Sequence, residues 1–281
     1  MSGGTEATTV LVRVGDVAVR CTLSGTDREG IDPVVLLPGI GGTTETEFSF
    51  LLPLLARTGR VLAVDLQYAT ATPATLASVA GQLAAVLRQL LPTRRITLVG
   101  FSVGASVATA ITATSTEVAS LVVVAPVLRA SNRHRLAAAL RARLLAGDPD
   151  AVRSLDLFAA HSAAFLQVRI PDPLSVHEDR DTDGDADISA KHHLFANADL
   201  AEFVSSVTVP TLVVGATHDD LSGIEQARVV FASLPNARYA EIDSGHAVLA
   251  ERPAEVLALI REFAAHPLRH RPGSVLEAAR P

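Results

Sequence analysis

The 281-residue chain carries a formal net charge of −6, with 48% hydrophobic and 19% charged residues, a globular composition long enough to bury a large core. Its basic residues gather on no one segment, which argues against a nucleic-acid binder, and its longest apolar runs are far too short for a membrane span. A lone cysteine, Cys21, excludes an internal disulfide and a cysteine metal framework, and without a basic, apolar leader the expected compartment is the cytoplasm.

Residues 10–14 and 17–22 read as a hairpin around the two-residue turn Gly15-Asp16. Residues 34–37 are a continuous apolar run that stops at Pro38-Gly39-Ile40-Gly41-Gly42. A helix is expected over 48–57 and a strand over 61–64, closed by Asp65. Residues 76–91 are apolar at helical spacing until Pro92. A strand at 96–99, a helix at 103–113 and a strand at 121–125 follow. Such alternation marks an α/β protein with a mostly parallel sheet and helices on both faces.

The alternation lapses after Pro126. Helices are expected over 133–145 and 151–168, then an acidic, glycine-containing stretch at 178–187 and a helix around Leu200. It resumes with a strand at 211–214, a helix at 223–234, a strand at 238–242 and a helix at 254–265. Residues 1–126 and 207–266 are thus expected to form the core, and 127–206 a helical lid inserted into it. The proline- and arginine-rich tail, 267–281, is expected to fray.

In an open parallel sheet, ligands gather beyond the carboxyl ends of the strands. Four features fall there: the glycines of 39–42, Ser102, the pair Asp219-Asp220, and His246. Ser102 lies within Gly100-Phe101-Ser102-Val103-Gly104, between a strand and a helix. A serine hydroxyl is a poor nucleophile without a base to take its proton. Imidazole titrates near neutral pH and can serve as that base, and a carboxylate behind it fixes its tautomer. The order serine, acid, histidine, with a glycine-flanked serine on a strand-to-helix turn, resembles the α/β-hydrolase superfamily. Ser244-Gly245-His246 ahead of Glu251-Arg252-Pro253 resembles that family's histidine segment. Pro210-Thr211-Leu212-Val213-Val214-Gly215 resembles the strand that delivers its acid, so the resemblance spans about residues 10–266.

The resemblance implies an α/β-hydrolase fold: a mostly parallel central sheet flanked by helices, with a helical lid insertion. It implies catalytic Ser102, Asp219 and His246, and an oxyanion hole built from the N–H groups of Val103 and Ile40, with Gly41 as the alternative loop donor. Many members have His-Gly where this chain has Pro38-Gly39; a backbone N–H works whatever the side chain. The family's commonest spacing from Gly215 falls on His218, so the loop is one residue longer and Asp219 needs the smaller displacement. Asp220 is then expected to cap the following helix. Asp65 is read as holding a loop, Ser106 as packing, and His134, His161, His177, His192 and His193 as lid residues at surface or substrate-facing positions, the surface being preferred.

The expected activity is that of a serine hydrolase cleaving an ester, thioester or lactone of a small hydrophobic substrate through an acyl-enzyme. Phe158 and Phe165, with Leu144, Leu155 and Leu166, are candidate substrate-binding walls, the alternative being that they pack the lid onto the body. The alternatives are a non-hydrolytic use of the triad (acyl transfer, cyclisation, C–C cleavage or perhydrolysis) and a ligand-binding protein on the same fold. Serine at 102 counts against the carboxylate nucleophile of dehalogenases. Residues 179–190 open like an EF-hand loop, but Ala190 stands where a bidentate glutamate belongs, so a solvated acidic loop is expected. No metal and no cofactor is expected, and the expected partner is a small-molecule substrate.

Overall fold

The computed structural model describes residues 7–70, 72–92, 94–169 and 182–278. It opens with an antiparallel hairpin, β1 (Thr8–Val14) and β2 (Val17–Ser24), in which Val14 faces Val17. Gly15 takes φ +59° in that turn, a conformation that glycine adopts without steric cost. Next come β3 (Val34–Leu37), the short helices α1 (Thr44–Glu47) and α2 (Leu51–Leu55), and β4 (Val61–Asp65). The helix expected over 48–57 is therefore shorter, α2 alone, and α1 ahead of it was not expected. The Thr43 and Thr46 side chains form the reciprocal cap that starts α1.

Four elements continue the alternation: α3 (Leu76–Leu90), β5 (Ile96–Phe101), α4 (Val103–Thr112) and β6 (Val118–Val124). An insertion of α5 (Asn132–Gly147), α6 (Pro149–Ala160), α7 (Ala163–Arg169), α8 (Thr182–Ala196) and α9 (Ala201–Val204) follows. The chain then returns through β7 (Thr211–Ala216), α10 (Ile224–Ser233) and β8 (Ala237–Ile242) to α11 (Val248–Glu251), α12 (Pro253–Ala265) and β9 (Val275–Glu277).

The nine strands form one sheet in the order β1-β2-β4-β3-β5-β6-β7-β8-β9. The pairs involving β2 are antiparallel and all others parallel. Because side chains alternate across a strand, each parallel strand serves two cores. Val35, Leu37, Leu62 and Val64 pack with α3 and α4, while Val34, Leu36, Val61 and Ala63 pack with Leu51 and Leu55 of α2 and Val256 and Ile260 of α12. Burial on both faces is what makes these strands read as unbroken apolar runs. Among the described residues no helix is long and apolar enough to cross a membrane.

Two expectations need correction. The tail does not fray at 275–277: β9 pairs parallel with β8, Val275 opposite Tyr239. Buried Arg238 helps hold it, donating from Nε to the His270 carbonyl at 2.8 Å, since a buried guanidinium needs acceptors. Residues 279–281 lie outside the described residues. The acidic stretch 178–187 is not an open loop from Thr182 onward, where α8 begins. Asp187 accepts the N–H groups of Tyr68 at 2.7 Å and Ala69 at 3.1 Å, and Lys191, one turn later, lies 3.3 Å from its carboxylate. These contacts tie α8 to the core. The remaining calcium-like positions, 179–181, and His177 lie outside the described residues.

Candidate active site

Ser102 occupies the turn between β5 and α4 with φ +53° and ψ −117°, a strained conformation for a residue with a side chain. Its neighbours explain how the turn closes. A Cβ on Gly104 would meet the carbonyl oxygens of Leu37 and Pro38 at 2.5 Å, so only glycine lets α4 approach the end of β3. Ser102 is 1% exposed, and its Oγ lies 2.9 Å from Nε2 of His246, which follows β8.

The other ring nitrogen, Nδ1, is 2.8 Å from Oδ2 of Asp219, which follows β7. Burial alone would push the Asp219 carboxyl up, but the His246 charge and hydrogen bond, with the Ser222 and Gly223 N–H groups, hold it below its ordinary value. An ionised carboxylate only accepts, so Nδ1 carries the imidazole proton and Nε2 is left to accept from the serine hydroxyl. Phe101 packs against the His246 ring with centroids 5.3 Å apart. The structure therefore brings Ser102, His246 and Asp219 into one hydrogen-bonded line.

Asp220 has a different place from the one expected. It is not a helix cap: Gly223 is the N-cap of α10, without a side-chain cap, and the Asp220 carboxylate lies 3.5 Å from Arg133, 72% exposed. Asp219 makes the local turn itself, its Oδ1 accepting the N–H groups of Leu221 at 3.0 Å and Ser222 at 2.7 Å. One carboxylate thus shapes the loop and faces the imidazole, leaving nothing for Asp220 to cap.

The loop after β3 runs past Ser102, and a Cβ on Gly39 would lie 3.2 Å from the serine Cβ. The Gly39 N–H donates to Glu47 Oε2 at 2.5 Å. Ile40 lies in no helix or strand, and among the described residues its N–H has no backbone or side-chain acceptor. Val103 is the first residue of α4, so its N–H has no partner within the helix. Burial pushes the Glu47 carboxyl up to about 7, against the pull of the Gly39 N–H, Lys191 and His246. Asp65 holds the loop's far end, accepting the N–H and hydroxyl of Thr44 at 2.7 Å and 3.0 Å, in keeping with its expected structural role.

The insertion touches the histidine loop directly. Glu251 accepts the Ser162 N–H and hydroxyl, each at 2.7 Å, and the Gly245 N–H at 3.2 Å. Ala247 donates its N–H to the Ala160 carbonyl at 2.7 Å. Of the expected pocket walls, Phe165 is half-buried and stacks on His161, 5.1 Å between centroids, whereas Phe158 is 74% exposed. Ser106 is fully buried in α4, consistent with packing. His134 is a correction to the surface reading. It is buried, accepts the Ser131 N–H on Nδ1 at 2.8 Å and meets the Phe195 ring edge-on, and burial pushes it down to about 4.

The sequence reading missed Glu47, Glu251 and Lys191 as site residues. Glu251 stood in a quoted motif, and Lys191 stood out as the only lysine of the chain. Glu47 carried no local signal, because its partner Gly39 belongs to a different element.

Comparison with known proteins agrees with this architecture. A curated deacetylase of Xenorhabdus hominickii, named for pyrrolizixenacetamide, is 27% identical over 266 residues, covering 90% of this chain and 96% of that one. An α/β hydrolase enzyme from a Medee basin deep-sea metagenome superimposes with a TM-score of 0.80 at 20% identity, over 90% of this chain and 96% of its own. The enol-lactonase of Burkholderia xenovorans does so with a TM-score of 0.78 at 21% identity, over 90% and 99%. The alpha/beta hydrolase family profile matches residues 34–259, from β3 into α12, and on that match the chain belongs to the alpha/beta hydrolase family of enzymes.

Proposed function

We propose that the protein is a serine hydrolase that cleaves an ester, thioester or lactone of a small, hydrophobic substrate through an acyl-enzyme. The observation that carries this reading is the line Ser102 Oγ, His246 Nε2, 2.9 Å, and His246 Nδ1, Asp219 Oδ2, 2.8 Å, built on a strained strand-to-helix turn. Ser102 attacks the carbonyl carbon while His246 takes its proton; Asp219 stabilises the imidazolium that results. The N–H groups of Val103 and Ile40 receive the negative charge on the carbonyl oxygen, which is worth most in a water-poor site. His246 then gives the proton to the leaving group, and water activated by the same imidazole releases the acyl group. The insertion acts as the lid, with Phe165 among the apolar residues on the substrate side.

A second reading, hydrolysis of an acetamide, is favoured by the curated relative, which is named as a deacetylase. It uses the same residues and differs in the leaving group, an amine that His246 must protonate. A fluorophosphonate probe tests the nucleophile: labelling of the wild type but not of Ser102→Ala is expected, and labelling of both overturns the assignment. Turnover of p-nitrophenyl esters of increasing acyl length, beside an N-acetyl arylamide, separates the two substrate classes and measures the acyl pocket.

A further inference from the structure

The loop at 39–42, Gly39-Ile40-Gly41-Gly42, supplies one of the two oxyanion donors in the reaction proposed above. With three glycines it has almost no side chains to set its own shape, and glycine leaves the backbone the most freedom to lose. Its shape must be imposed from outside.

Two ionisable side chains grip its ends. Glu47, on α1, takes the Gly39 N–H on Oε2 at 2.5 Å. Lys191, on α8 of the insertion, donates from Nζ to the Gly42 carbonyl at 3.3 Å. Lys191 is only 6% exposed, and its charge is offset by Asp187 at 3.3 Å and by the face of Tyr68, 5.4 Å from the ring centroid. Placing ionisable groups in so buried a setting is costly, and a plain connection between β3 and α1 needs neither.

We propose that Glu47 and Lys191 are positioning residues for the oxyanion, acting together on the loop at 39–42; this rests on the donor role given to Ile40. By engaging the Gly39 N–H, Glu47 makes Ile40 the loop's next available donor beside Ser102. By holding the Gly42 carbonyl, Lys191 fixes the other end and makes the insertion part of the oxyanion machinery as well as a cover. Among the described residues, four ionisable groups face Glu47: Lys191 from α8, His246 from the loop after β8, Asp65 from β4 and Tyr68 from the segment after β4. Burial favours the neutral form of Glu47, which spares the developing oxyanion a like charge.

The test is steady-state kinetics on the p-nitrophenyl ester of best acyl length, together with the rate of fluorophosphonate labelling, which forms a comparable charge at the same place. Glu47→Ala and Lys191→Met are expected to lose kcat by on the order of 10²-fold with KM within about twofold, the signature of support lost in the transition state. Glu47→Gln keeps a carbonyl oxygen for Gly39 and should stay within about tenfold of wild type. If Lys191→Met does not fold, Lys191→Met with Asp187→Asn removes both charges together and carries the same expectation. Ser102→Ala is the control for the underlying reading. Turnover surviving in that variant overturns the serine mechanism and this inference with it. A silent Ser102→Ala beside wild-type kcat in Glu47→Ala and the Lys191 variant, or a change in KM alone, overturns the inference and leaves the mechanism standing.

Discussion

In the proposed mechanism Ser102, His246 and Asp219 act as one unit along their hydrogen-bonded line, so the effects of replacing them should not add. Ser102→Ala and His246→Ala are each expected to abolish nearly all ester turnover with the fold intact by circular dichroism. The double variant should be hardly slower than either single one. Independent, multiplying losses would contradict a shared mechanism. Asp219→Asn should lower kcat by about 10⁴-fold, because an amide both weakens support of the imidazolium and permits the wrong tautomer. Asp220→Asn should stay close to wild type, its side chain being 72% exposed and, among the described residues, engaged only with Arg133; assaying the two variants side by side decides which acid is used. Glu47 gives a pH signature in stability. Its folded-state pKa is raised from 4.5 to about 7 by burial, so its contribution is present below the ordinary value and lost as pH rises through 7. Glu47→Gln should therefore melt higher than wild type at pH 8 and show no such gain near pH 4. A melting difference that does not change with pH would refute the assignment.

At the scale of elements, the informative contact is between the α6–α7 junction and the loop carrying His246. The helix expected over 151–168 is broken at His161-Ser162, and the break presents the Ser162 N–H and hydroxyl to Glu251. Gly245 makes this approach feasible, since a Cβ there would collide with the backbone of His161 and Ser162. Glu251→Ala leaves three donors unmet, each at a cost of about 1–3 kcal/mol if no water replaces the carboxylate. The expected result is faster amide exchange at Ser162 and Gly245, read by hydrogen-exchange mass spectrometry, together with a lower kcat. Unchanged exchange at both amides would mean that other contacts hold the junction.

For the whole molecule, the sheet's last strand comes from the far end of the chain. β9 covers the edge of β8, and the His270 carbonyl accepts from Arg238, which is 2% exposed. Ending the chain at Pro267 removes that strand and leaves a buried guanidinium short of an acceptor. We expect a loss of at least about 3 kcal/mol, read as a fall in Tm at about 2–4 °C per kcal/mol for a chain of this size. A truncated chain that melts with the full-length protein would show β9 to be dispensable. The proposed catalytic residues lie at the ends of β5, β7 and β8, so kcat per folded molecule should change far less than Tm.

The sequence by itself determined the alternation of strands and helices, the position of the insertion and the identity of Ser102 and His246 as candidates, because hydrophobic period and strand-end placement are local properties. It preferred Asp219 to its neighbour Asp220 on spacing alone; the physical reason, Asp219 Oδ1 accepting loop N–H groups while Oδ2 meets His246, exists only in the folded turn. Tertiary structure alone decided the rest. The tail's composition suggested disorder until β8 offered it an edge, and the acidic stretch suggested an open loop until Asp187 met the amides of Tyr68 and Ala69. Lys191 reaches Gly42 across 149 positions of chain, and Asp187 reaches Tyr68 across 119. No local pattern encodes such pairings, since a buried charge is stable only where the whole fold delivers its partner.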